Sequence, residues 1–401
     1  MSRHSTLLFV NAAHFFDHFF LLIFPTAALA IASAWSMSYA DTLVLGTPLY
    51  VMFAVGTLPA GWLGDRFDRV SLIIVFFLGC GASSLLIALS NGSALLSVGL
   101  GLLGLFAAIY HPVGIALVTD LGRRTGRALA VNGVSGNMGL AAAAVLTALL
   151  ADRFGWRSAF AVPGGLSIMI GAAMLVGNRT RRSQPATAGD DVPQQAPIPV
   201  DSRTQIVIFG IVCVAALFGG SIFNAVTISL PKFFDERLVT AADGLAWVGA
   251  STGLVFAIAA FAQLPVGEAL DRFGAKPILC ALLAVQSVLL LALSQATGWP
   301  ALVIALVLVT SIFAAIPITG WLIGHYIRTG LRSRIMSVEY VLSLGMASAI
   351  VPVISFMHKN GQGFDIQLVL LAAAAAIVFA AALLLPGGKP RTGDAQITAA
   401  Q

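Results

Sequence analysis

The chain has 401 residues, 58% hydrophobic and only 10% charged, whereas a soluble globular protein carries roughly 25% charged residues. That composition excludes a water-soluble domain, because so much apolar surface needs lipid as its solvent. The net charge of +5 does not point to nucleic acid, since positive excess is what the cytoplasmic loops of a membrane protein carry.

A bilayer core is crossed by about 20 apolar residues in helical conformation. Runs of that length predict twelve helices, over residues 7–33, 42–63, 71–90, 94–119, 127–150, 157–177, 205–231, 244–267, 276–296, 299–325, 334–357 and 364–386. No stretch alternates in the manner of a membrane barrel strand, so the fold class is an all-α membrane protein. The first run resembles a signal peptide, with Arg3 ahead of it and Ala28-Leu29-Ala30 behind. His14, Asp17 and His18 interrupt what should be an apolar core, and the run is long, so it reads as a retained first helix.

Between the sixth and seventh runs lies a polar stretch rich in Pro, Gln, Asp and Arg. The chain thus divides into an amino-terminal bundle over 1–178, a linker over 179–204, a carboxyl-terminal bundle over 205–388 and a tail over 389–401 that reads as disordered. With both termini in the cytoplasm, the cytoplasmic segments hold 17 of the 22 Lys and Arg residues and the other side holds Arg153, Arg157, Lys232, Arg237 and Lys359. The positive-inside rule therefore predicts a multi-pass protein of the inner (plasma) membrane with both termini cytoplasmic. The three cysteines, Cys80, Cys213 and Cys280, fall in separate runs without metal-ligand or redox spacing.

An internal repeat is visible. Leu58-Pro59-x-Gly61-x-x-x-Asp65-Arg66-Phe67 recurs as Leu264-Pro265-x-Gly267-x-x-x-Asp271-Arg272-Phe273, and the same offset carries Pro25 onto Pro231. Pro112, Arg123 and Arg127 return in the same way as Pro317, Arg328 and Arg332. The architecture is two pseudo-symmetric six-helix bundles, and transporters built from such repeats place their substrate near the midplane where the halves meet.

Gly61-Trp62-Leu63-Gly64-Asp65-Arg66-Phe67-Asp68-Arg69 resembles the signature loop between the second and third helices of the major facilitator superfamily. Its degenerate copy runs from Gly267 to Lys276, and Phe154-Gly155-Trp156-Arg157 is similar to that superfamily's connection between the fifth and sixth helices. Two further segments, His14-Phe15-Phe16-Asp17 and Tyr110-His111-Pro112, are similar to its fosmidomycin-resistance group of drug exporters. The resemblance implies a major facilitator fold, with the first, fourth, seventh and tenth helices lining a central cavity.

Asp17 is the sharpest local signal, because an ionisable group inside a membrane helix costs several kcal/mol unless it meets a partner or a water-filled cavity. His14, Asp17 and His18 stand at i, i+3 and i+4 and share one helical face. By the resemblance, His111 and Tyr110 of the fourth helix and Asn224 of the seventh join them in the cavity, as a proton-coupling or substrate-binding group. Pro112 is expected to kink the fourth helix and free a carbonyl near Ala108. Gly61, Asp65, Arg66 and Arg69, with Asp271 and Arg272 in the second half, are expected to form a conformational gate by pairing across the halves. Glu339 reads either as a partner in that gate or as part of the substrate site. Gly133, Gly136 and Gly139 are expected to let the fifth helix pack closely across the halves.

No phosphate-binding loop, zinc-protease helix or nucleophile elbow appears, so neither an enzyme nor a cofactor nor a metal is expected. The expected function is secondary active transport of a small molecule by alternating access, as proton-coupled efflux. Proton-coupled uptake of a metabolite is the alternative, and a non-transporting membrane sensor a remote one. The expected partners are the substrate, protons and the bilayer, with the chain a monomer.

Overall fold

A computed structural model describes residues 3–121, 125–181, 201–238 and 244–386. Most of the linker, the tail from Lys389, Arg123 and Arg124 lie outside the described residues. Within them are twelve helical spans long and apolar enough to cross a membrane. They are α1 (Arg3–Trp35), α2 (Tyr39–Arg66), α3 (Arg69–Ala88), α4 (Ser93–Leu121), α5 (Ala128–Phe154) and α6 (Trp156–Asn178), then α7 (Ser202–Arg237), α8 (Leu245–Phe273), α9 (Ala275–Gln295), α10 (Gly298–Tyr326), α11 (Arg334–Lys359) and α12 (Gly363–Ala382). Several outrun the expected spans, because helices continue past the apolar core until a capping signal stops them.

Two of those stop signals sit in the motif loops. Asp68 caps α3 by accepting hydrogen bonds from the Ser71 amide at 2.9 Å and the Ser71 hydroxyl at 2.7 Å. Gly155, at φ 81°, turns the chain from α5 into α6 through a left-handed conformation that a side chain would strain.

The helix pairings repeat as the sequence does. In the first half α1 packs on α5, α2 on α4, and α3 on both α4 and α6; in the second half α7 packs on α11, α8 on α10, and α9 on both α10 and α12. Each pairing recurs six helices later. The halves meet through α5 against α8 and through α2 against α11, a pair of contacts that exchange under the same symmetry. Along the first, Gly249 and Gly253 of α8 lie against Ala144 and Ala141 of α5, where an added Cβ would fall 2.6 and 2.9 Å from their carbonyl oxygens.

The fifth-helix glycines depart from expectation. Gly136 and Gly139 face α1 of their own half, against His14 and Phe15, and only Gly133 faces the other half, near Gln263. A smooth helix face shows that something packs closely but not what does.

The prolines also differ in effect. α4 is interrupted at Ala108 and Ile109, one turn before Pro112, as the lost backbone bond requires. α8 is interrupted in the same way at Phe261 and Ala262, ahead of Pro265. α10 runs unbroken through Pro317 and α2 through Pro59. α7 contains a π-helical turn over Ala215–Gly219, just before Asn224.

Candidate functional site

Asp17 lies near the middle of the 33-residue α1 and is fully buried. The helical spacing turns His14 and His18 to the same side, and the break in α4 presents Tyr110 and His111 to them. His14 and His18 meet edge to face with ring centroids 4.7 Å apart, and His111 stands 5.5 Å from His14 and 5.7 Å from His18. Tyr110 stacks on His14 at 4.6 Å. His111 Nε2 lies 3.2 Å from Asp17 Oδ2, at ion-pair distance. The structure thus brings together five of the six residues expected in the cavity.

Asn132 of α5 organises the group. Its backbone carbonyl stands 2.7 Å from His14 Nδ1, its side-chain carbonyl accepts from Tyr110 Oη at 2.9 Å, and its amide donates to Asn11 Oδ1 at 2.9 Å. A carbonyl can only accept, so His14 carries its proton on Nδ1 and leaves the Nε2 lone pair facing the cluster. The sequence offers Asn132 only as one of several possible cavity polar groups, with Asn137, Asn224 and Gln263, and passes over Asn11. Asn11 is one step back along the His14 face at i−3, a spacing that would have found it; the partners of Asn132 are visible only in three dimensions.

The second half closes over the group with α11. Tyr340 lies 6.0 Å from His111, ring to ring, and His111 is close enough to Glu339 to act on it electrostatically. Glu339 accepts a hydrogen bond from Thr319 of α10 at 3.3 Å. It therefore sits beside the substrate-side group rather than pairing with the signature loop. Asn224 is not part of the histidine group: its amide donates to the carbonyls of Gly220 at 2.8 Å and Ser343 at 3.0 Å, clasping α7 to α11.

The expected gate residues keep to their own halves. Arg66 lies over the Trp62 ring at 4.1 Å, and Arg69 pairs with Asp120. Asp271 accepts from Trp321 Nε1 at 3.0 Å, and Arg272 approaches Glu268 at 4.0 Å. Gly61 passes Pro112 with room for a methyl group, and Asp65 makes no ion pair among the described residues. Cross-half polar contacts gather instead at the opposite end. There Lys359 pairs with Asp41 at 3.0 Å, Ser355 donates to the Ala40 carbonyl at 2.7 Å, and His358 meets the Tyr39 ring edge to face at 5.4 Å. Towards the signature-loop end, a cleft of about 500 Å³ opens between α1, α5 and α8, lined by residues including Asn11, Phe15, Ser135, Met138 and Phe261.

A two-bundle helical fold with a polar group buried at mid-depth is the architecture in which repeat-built transporters place their substrate site. Residues 7–260 match the family described as Major Facilitator Superfamily, more than half of the chain, and the chain belongs to that family. The "Probable 4-methylmuconolactone transporter" of Cupriavidus pinatubonensis is 25% identical over 69% of this chain and 66% of its own length. The "Tetracenomycin C resistance and export protein" of Streptomyces glaucescens is 31% identical over 38% of this chain and 30% of its own. The chain thus spans less than two-thirds of either relative. Among solved structures, a D-xylose-proton symporter superposes with a TM-score of 0.75 at 14% identity, covering 96% of this chain and 99% of that one. An inward-facing, occupied bacterial homologue of the lysosomal transporter Spinster gives 0.75 at 14% identity, covering 96% of both chains. These neighbours share the fold, and the family to which the chain belongs is one of transporters.

Proposed function

We propose that the protein exports a small molecule in exchange for protons, by alternating access, from the cytoplasm across the inner membrane. One observation carries the reading. Asp17 is fully buried with His111 Nε2 3.2 Å from its Oδ2 as ion-pair partner, its Oδ1 has no hydrogen-bond partner among the described residues, and Tyr340 of α11 in the other half lies against His111. A carboxylate so placed holds a proton or a partner, and substrate arriving at the same point displaces what it holds. The mostly apolar cleft suits a drug-like body, and the resemblance of His14-Phe15-Phe16-Asp17 and Tyr110-His111-Pro112 to the fosmidomycin-resistance exporters points the same way. A relative named for resistance and export supports the direction.

The charge bias of the loops puts the signature loop and both termini in the cytoplasm. With the halves tied at the other end through Lys359–Asp41 and Ser355–Ala40, the conformation described is open to the cytoplasm. In the reverse state Asp65, Arg66, Arg69, Asp271 and Arg272 exchange their contacts within each half for contacts between halves.

The test is proton movement in proteoliposomes that carry an internal pH dye, under gradients of a panel of drug-like and metabolite solutes. A solute gradient should drive proton flux in the wild type and not in Asp17→Asn. Flux in the direction opposite to the solute means antiport, and flux in the same direction means uptake by symport. Full coupled flux in a well-expressed Asp17→Asn variant would remove the reading.

A further inference from the structure

The histidine group contains more unmet polar atoms than a packing device needs. Among the described residues, four buried side-chain atoms in it have neither a hydrogen-bond nor an ion-pair partner, namely His14 Nε2, Asp17 Oδ1, His18 Nδ1 and His111 Nδ1, while His111 Nε2 and Asp17 Oδ2 face each other at 3.2 Å. A static hydrogen-bonded patch would pair most of these, because a buried polar atom left without a partner is not repaid for its lost hydration. One ligand-capable nitrogen from each of His14, His18 and His111 lies within 4.8 Å of the others.

We propose that His14, His18 and His111 bind one divalent transition-metal ion of the zinc type, with the Asp17 carboxylate beside it. The chemistry of the donors selects the ion. Imidazole nitrogens suit zinc, nickel, cobalt and copper, whereas calcium and magnesium need a shell of oxygen ligands that one carboxylate cannot supply. His14 is already prepared as a ligand. Its Nδ1–H is fixed on the Asn132 carbonyl, which aims the Nε2 lone pair at the cluster, the outer-shell arrangement typical of metal-binding histidines. Tetrahedral zinc with bonds of about 2.0–2.1 Å sets its ligand atoms about 3.4 Å apart, so the rings close in by about an ångström on loading. His18 is the least buried of the three rings. The one negative charge of Asp17 offsets part of the ion's charge, and its ion-pair partner is a histidine rather than a competing Lys or Arg.

This site has no spacing signature in the sequence, since its third ligand comes from a helix almost a hundred residues away. Binding requires nothing of the transport reading. Its consequence, that a bound ion fills the substrate position and blocks exchange, rests on that reading.

The experiment uses the full chain, purified in detergent, stripped with chelator and titrated with Zn²⁺ or Co²⁺. Elemental analysis should find one metal per chain after desalting, with visible cobalt bands characteristic of nitrogen-rich tetrahedral coordination. Zn²⁺ should raise the melting temperature, and chelator should reverse the rise. His18→Ala and His111→Ala should each weaken binding at least tenfold, while His4→Ala, at the exposed start of α1, should not. A folded wild type that retains no metal and shows no thermal shift overturns the proposal, as does full retention in both His18→Ala and His111→Ala. The thermal shift of the wild type decides the matter even if those variants fail to fold. Proton flux in chelator-treated liposomes tests transport separately. Flux without metal that Zn²⁺ stops supports the block, and flux that continues in the zinc-loaded protein overturns it. Bound metal with no flux under any condition overturns the transport reading alone.

Discussion

Adding one methyl group at Gly136 tests how the histidine group is held. A Cβ built there would stand 2.5 Å from His14 Nε2 and 2.7 Å from two ring carbons, where ordinary contact begins near 3.4 Å. The ring would have to retreat by about 0.9 Å. It has little room, since Tyr110 stacks on it and Nδ1 is fixed 2.7 Å from the Asn132 carbonyl. A retreat of that size stretches the hydrogen bond beyond useful length, at about 1 kcal/mol. Overpacking of a tight interface adds about 1–3 kcal/mol. Gly136→Ala should therefore lose about 2–4 kcal/mol, measured as reversible unfolding in mixed micelles, and should lose coupled transport with it. Gly210→Ala is the reference, because nothing lies within 4 Å of its would-be Cβ. It should be neutral or slightly stabilising, as Gly→Ala is in an unobstructed helix. Equal stability and transport in Gly136→Ala and wild type would refute the packing account of His14.

Asn132→Leu removes the acceptor of Tyr110 and the donor to Asn11; unfolding in micelles should show a loss of about 1–3 kcal/mol, and a loss below a few tenths would mean that water replaces both bonds. Pro112→Ala restores a backbone donor to α4, so a straighter helix should stabilise the fold while slowing transport in liposomes. Pro317→Ala, in an already continuous helix, should affect transport less, and the opposite order would contradict the difference seen between the two helices. Ser355→Ala with Lys359→Ala removes cross-half contacts at one end only. Labelling of a cysteine introduced beside Tyr39, in a chain freed of Cys80, Cys213 and Cys280, should rise at that end, and unchanged labelling would show that these contacts do not hold it shut.

The twelve spans were legible because hydrophobic length is a property of sequence alone, and the repeat was legible because its prolines, glycines and arginines recur at nearly fixed offset. The cluster on α1 was legible for the same reason that any helical face is, and His111 joined it through the family resemblance. Pairings between helices were not. Arg69 meets Asp120, and Glu339 meets Thr319, because helix rotation and depth decide partners, and neither is written in local spacing. The glycines of α5 show the same limit: their smoothness was visible, but not that α1 fills it. The family resemblance assigns Asn224 to the cavity, yet its position just past a π-helical turn brings its amide onto the backbone of α11.

The repeat offset of 206 residues that carries Pro25 onto Pro231 carries His14, Asp17 and His18 onto Gly220, Phe223 and Asn224. The amino-terminal bundle therefore holds most of the ionisable grip, and its twin meets it with the wall that carries Glu339 and Tyr340 of α11. On the proposed reading, a cargo gripped this way rides with the amino-terminal bundle, and the carboxyl-terminal bundle slides past it. The duration of each cycle then depends on two separable quantities: how firmly one wall holds, and how freely the other glides. Substitutions in the first wall should change affinity, and those in the second should change turnover.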